Sequence, residues 1–124
     1  MPEPRIRYDE PSDTLYVAFA PGESATGIEL NEHILLRVDK SKRAAVGLTL
    51  FDYSLLAQQT EIGPRSFPLT GLAELSTDLR NLALAIMQAA PVSEFLTLSA
   101  YTPGPNELIP ITSLQAGKIT SRAA

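Results

Sequence analysis

A chain of 124 residues with 44% hydrophobic side chains is long enough for one core, and four Phe, four Tyr and no Trp leave that core to Leu, Ile, Val and Ala. The absence of cysteine excludes disulfides, thiolate nucleophiles and Cys-ligated zinc. Fourteen acidic against ten basic side chains give a formal charge of −4, and residues 1–62 hold ten of the acids but six of the bases, a bias that repels a phosphate backbone and argues against nucleic acid as partner.

In chain order, Arg5-Ile6-Arg7-Tyr8 alternates as a half-buried strand, and Asp9 to Asp13 is a turn with Pro11 at a favoured position. Leu15 to Phe19 resumes as a strand with Leu15, Val17 and Phe19 on one face, closed by Pro21-Gly22. A third stretch, from Ala25 to Asn31, points Ile28 and Leu30 inward and Glu29 outward. After a turn at Asn31-Glu32, Ile34, Leu36 and Val38 share a face while Arg37 and Asp39 look out. Asp39 to Lys42 is a hairpin tip, so the basic cluster Lys40, Lys42 and Arg43 reads as solvated. A fifth strand, Ala44 to Phe51, directs Val46, Leu48 and Leu50 inward. Five strands on short connections are most simply an antiparallel meander.

Such a sheet needs a second layer. Asp52 is placed to cap a short helix from Tyr53 to Gln58. Gly63, Pro64 and Pro68 make a seam at residues 61–68, but halves of roughly 60 residues are poorly able to build separate cores, so residues 1–124 read as a single domain. Thr70 or Ser76 can cap the main helix, in which Leu72, Leu75, Leu79, Leu82, Ile86 and Ala90 recur at helical spacing before Pro91. The pattern accommodates one helix over 70–90 or two joined near Ser76. Glu94 to Tyr101 reads as a strand more enclosed than the earlier ones, and Leu108 to Ile111 as another, with Pro110 favouring an edge or bulge. Residues 117–124 read as a flexible tail. The expected class is α+β: an antiparallel β-meander of about five strands packed against a central helix, with one or two further C-terminal strands.

The first hairpin, Ile6-Arg7-Tyr8-Asp9-Glu10 with Asp13-Thr14-Leu15-Tyr16-Val17, resembles the opening of the DUF2283 family of small uncharacterised domains, which show Tyr-Asp, a short acidic turn, an Asp, then Leu-Tyr and a β-branched residue. The resemblance continues through Ile34 to Asp39 and on to Val46-Gly47-Leu48, similar to the family's Val-Gly-Ile-Glu, and covers about residues 5–56. Two positions depart from it. Lys42 and Arg43 stand where the family commonly has a Gly, and Thr49 stands where it commonly has Glu. The resemblance implies a fold and no activity.

Candidate sites are few. Asp9, Glu10 and Asp13 offer carboxylate oxygens to Mg²⁺ or Ca²⁺, but a calcium loop needs more ligands at regular offsets and a glycine at its bend. Turn and strand tethers, with Asp9 accepting a backbone N–H, are the simpler reading, and no cofactor or metal is expected. His33, the one histidine, suits general-base work only with a carboxylate beside it in space; in sequence it has Glu32 and Glu29 nearby. Gly22 to Gly27 lacks the Lys-Ser/Thr of a phosphate loop. Tyr8 and Tyr16 read as rings at a sheet margin.

The second half is apolar around more than one helical face, which points to self-association as a homodimer with Leu84, Met87, Phe95 and Tyr101 as candidate interface. The expected function is that of a non-catalytic module acting through protein–protein contacts with itself or a further protein partner. The alternatives are a metal- or ligand-dependent enzyme using Asp9, Asp13 and His33, and a small-molecule-binding regulatory domain. No apolar run reaches the ~20 residues of a membrane span and no secretory signal is recognisable after Met1, so the expectation is a cytoplasmic protein with no membrane partner.

Overall fold

The computed structural model of the chain describes residues 4–20 and 24–115. Strands form where side chains alternate: β1 (Arg5–Asp9), β2 (Thr14–Ala18), β3 (Thr26–Asn31), β4 (Ile34–Asp39) and β5 (Ala44–Leu50) make one five-stranded sheet in which every neighbouring pair is antiparallel. Its order is β1-β2-β5-β4-β3, not the sequential order of a simple meander. After β2 the chain crosses to the far edge and returns through β3 and β4 to lie beside β2. Composition gives the reason. β5, Ala-Ala-Val-Gly-Leu-Thr-Leu, carries no charge and is buried from Val46 to Leu50, so it takes the centre, while arginine-bearing β1 takes an edge.

Register places Leu15 and Ile34 either side of Leu50, and Val17 and Leu36 either side of Leu48, all on one face. One expectation fails at the β4–β5 pairing, where the register shifts between Arg37 and Val38. Val46, although 4% exposed, stands outside the main core cluster, and Ala45 packs against that cluster instead. On the other side of β5 the Val46 carbonyl accepts the N–H groups of both Phe19 and Ala20, at 2.8 and 3.1 Å, just past the end of β2. Next to it, a Cβ on Gly47 would lie 2.8 Å from the Val17 carbonyl oxygen, so the close approach of β2 requires glycine.

The second layer begins with α1 (Tyr53–Leu56), followed by a small hairpin of β6 (Gln59–Thr60) and β7 (Gly63–Pro64) with Ile62 at its tip. The proline-rich seam is thus a hairpin leading into β8 (Ser66–Pro68). A 3-10 segment, Thr70–Glu74, precedes the main helix α2 (Thr77–Met87). Of the two caps available, Ser76 is used: its hydroxyl accepts the Leu79 N–H at 3.2 Å, and Asp78 adds negative charge to the first turn. Arg80 joins the two helical pieces by donating to the Leu72 and Leu75 carbonyls, at 3.0 and 3.4 Å. Leu82, Ala83, Ile86 and Met87 of α2 share one core cluster with the inner residues of the sheet. No helix among the described residues is long and apolar enough to cross a membrane.

The last segment departs from expectation twice. Of the anticipated strand, β9 (Ser99–Tyr101) is the continuous part, with Leu96 adding a single antiparallel bridge to Leu114, and all three β9 residues are exposed, not enclosed. Val92–Glu94 forms a 3-10 turn, from which Phe95 and Leu96 both enter the core, something strict alternation forbids. β10 (Ile109–Ser113) is the central strand of the order β8-β10-β9, so Pro110 is not on an edge. Its carbonyl accepts the Leu69 N–H at 2.9 Å, and its missing donor falls where β8 has ended at Pro68, so little of the ladder is lost. The tail 117–124 and the Pro21-Gly22 turn lie outside the described residues.

Candidate functional site

The residues with the most chemistry converge on one short segment, Asp52-Tyr53-Ser54, where the sheet hands over to α1. From the β1–β2 turn comes Asp13, held at φ 52 in the left-handed region that Asp tolerates better than most residues. Its carboxylate accepts the Tyr8 hydroxyl at 2.7 Å, the Ser54 hydroxyl at 2.9 Å and the Ser54 N–H at 3.1 Å, while its carbonyl accepts the Tyr53 N–H at 2.9 Å. The Tyr8 hydrogen bond, helped by those of Ser54, holds the Asp13 carboxyl below the usual carboxylate range. The same bond raises the Tyr8 phenol above its ordinary value, and burial, then the Asp13 charge, does so for Tyr53. The rings of Tyr8 and Tyr53 meet at a centroid distance of 5.7 Å.

From the β3–β4 turn comes His33, whose side chain is 16% exposed. Nδ1 lies 2.9 Å from Asp52 Oδ2, and Nε2 lies 3.4 Å from Glu32 Oε1. The turn is itself fixed by Asn31, which accepts the His33 N–H at 2.8 Å and donates to the Pro68 carbonyl at 3.1 Å. Asp52 sits at φ 55 at the head of α1, yet its side chain makes no cap bond and pairs with His33 instead. The imidazole thus lies between two carboxylates at the rim of a groove lined by Leu55, Arg65, Phe67 and Thr70. Structurally, His33 and Asp13 grip the same segment from two hairpins.

Asp9 has a different role. It accepts the Ser12 hydroxyl inside its own turn, where a backbone N–H was the expected donor. Asp13 and His33 thus reach neighbouring residues of one segment while Asp9 bonds within its own turn, and among the described residues no group of three or more His, Cys, Asp or Glu is arranged to hold a metal ion. Sequence reasoning missed the two partners that matter most, Asp52 for His33 and Ser54 for Asp13, which lie 19 and 41 residues away. Local pattern carries no signal at such separations.

The candidate interface residues are scattered by burial. Met87 and Phe95, at 1% and 0% exposure, belong to the protein's own core and present nothing to a second copy. Leu84 is partly covered against the core, and Tyr101 is 56% exposed. Ile62 and Leu108 are more exposed still, at 98% and 67%, and a broader surface is the outer face of the five-stranded sheet. There Arg7, Tyr16, Thr49, Leu35 and Glu29 follow one another across the strands, with Arg7 stacked 4.3 Å over the Tyr16 ring. A separate recess of about 360 Å³ lies between α2 and the start of β5, lined by Phe19, Ala45, Leu82 and Ile86 with Arg43 beside them.

Residues 5–54 match the family model described as a protein of unknown function, DUF2283. The match spans the whole five-stranded sheet and ends at Ser54, the residue that Asp13 holds. The two departures from the family pattern also find their places: Arg43 adopts φ 52, a conformation a glycine takes without cost, and Thr49 is the buried centre of the outer face. No curated protein and no solved structure matches the chain.

Proposed function

Taking residues 5–54 as a DUF2283 domain, we propose that the protein is a non-catalytic module that works by protein–protein contact through the open face of its sheet. The outer face carries the argument: two partly exposed large side chains, Tyr16 and Leu35, flank a buried threonine between charged margins, the composition of a contact patch with an apolar middle and a polar rim. The reactive residues support the same reading, since Asp13 and His33 are engaged in holding the head of α1. Tagged wild type and Leu35→Glu are compared by pull-down from the native cell with mass spectrometry, after thermal unfolding has shown both to be folded. A partner kept by wild type and lost by the variant supports the reading; identical partner sets sink it.

A second reading rests on the recess beside α2. Its apolar lining and single guanidinium suit an amphipathic carboxylate, which would make the chain a small-molecule-binding regulatory domain. Medium-chain fatty acids should then raise the unfolding temperature of wild type and not of Arg43→Ala, because a ligand that prefers the folded state must stabilise it.

A further inference from the structure

Across the outer face the register runs Arg7 on β1, Tyr16 on β2, Thr49 on β5, Leu35 on β4 and Glu29 on β3. This row is complementary to its own reversal. The middle is a small residue on the central strand, large side chains stand one strand to either side, and the ends carry opposite charge. From this we infer that the occupant of the face is a second copy of this chain, packed sheet to sheet about a two-fold axis running along β5. The inference rests on the protein-contact reading above and names its partner.

That axis lays Arg7 over the partner's Glu29, Tyr16 over the partner's Leu35, and Thr49 on the partner's Thr49. The other in-plane choice, an axis across the strands, lays the arginine edge on itself, and like charges directly opposed are destabilising. Aligned sheets cross at about −30°, so each β5 is inclined to the axis by roughly 15°; misalignment grows only towards the rim, where the long Arg7 side chain can absorb it. The centre is flat enough for the contact. Gly47 lies next to Thr49 on the same face, and an Arg37 guanidinium nitrogen lies 3.9 Å from where a Gly47 Cβ would stand, so Arg37 is folded down over the strand. Arg37 then faces the partner's Ala18. Its own symmetry mate is about two strand spacings away, near 10 Å, a separation at which salt screens the repulsion.

Five strands at ~4.8 Å spacing and about five residues at ~3.4 Å rise give a projected area on the order of 300 Å². This is well short of the ~800 Å² per partner of a standard interface, so the pair is weak, concentration-dependent and sensitive to salt.

Sedimentation equilibrium from about 1 to 500 µM tests it with wild type, Arg7→Glu, Glu29→Arg and the double exchange, each checked by circular dichroism. The wild-type mass should climb towards the dimer. Each single reversal should weaken association at least about tenfold, and the double exchange should return it to within about threefold of wild type. A wild type that stays monomeric throughout, a dimer indifferent to either reversal, or a double exchange no better than the singles overturns the two-fold pairing. A monomeric wild type whose Leu35→Glu variant still loses a pulled-down partner overturns this inference and leaves the contact reading in place.

Discussion

The two faces of the five-stranded sheet share one backbone and follow different rules. Inward, Leu15, Val17, Ile34, Leu36, Leu48 and Leu50 are sealed among α2, the 3-10 segment and the last strands, and no charge is admitted. Outward, arginines, a glutamate, a tyrosine and a threonine occupy the alternate positions of the same strands. The inner face specifies the fold by exclusion of water, whereas the outer face buries Thr14, Gly47 and Thr49 but leaves Arg7, Glu29 and Arg37 exposed. One residue of register exchanges the two sets, and the slip opposite Val46 shows how local that exchange can be.

The sharpest way to break this contrast is a pair of neighbouring truncations on β4. Leu36→Ala should cost about 2–5 kcal/mol in urea unfolding, because it opens a cavity in the sealed layer. Leu35→Ala, one residue away, should stay within about 1 kcal/mol while weakening association. Similar costs for the two would show that the faces are not distinct. A smaller effect is expected where the second layer touches the sheet by backbone alone. A Cβ on Gly71 would stand 1.8 Å from the Glu29 carbonyl oxygen, so Gly71→Ala must push the 3-10 segment away from β3. It should cost about 1–3 kcal/mol and speed amide exchange along β3. Unchanged exchange would mean that β3 is held by other contacts.

Smaller again is the clamp at the head of α1. Since the Asp13 carboxyl is held below its ordinary value, its contribution is complete above the unfolded carboxylate pKa of about 3.9 and is lost as pH falls through the lower folded value. The urea midpoint of Asp13→Asn should therefore trail wild type by a constant amount above about pH 5, with the gap closing below about pH 4. A gap that persists in acid would assign the role of Asp13 to its left-handed backbone rather than to its charge.

Much of this was legible by periodicity. Ile28, Leu30, Ile34, Leu36, Leu48 and Leu50 were placed inward from alternation alone, and Ser76 was one of two caps proposed for the main helix. Legibility stopped where backbone geometry broke the period. A register slip left Val46 buried but outside the main cluster, with Ala45 packed against that cluster, Phe95 and Leu96 both turned inward from a 3-10 turn, and Pro110 occupied a central strand because β8 ends beside it. The candidate site was half legible: Asp13 and His33 were singled out, but their partners Ser54 and Asp52 were not, since hydrogen bonds between distant turns leave no mark in local pattern.

By itself, then, the sequence determined the first five strands and the main helix, the inward side of most of those strands, an α+β class, and a likeness of residues 5–54 to the DUF2283 model. The tertiary structure alone decided that uncharged β5 lies at the centre, that Met87 and Phe95 are core, and that Arg7, Thr49 and Glu29 fall into one row. The physical reason is separation along the chain. Propensity and periodicity act over a few residues, whereas strand order, register and the meeting of distant turns are chosen by how whole elements share one buried volume.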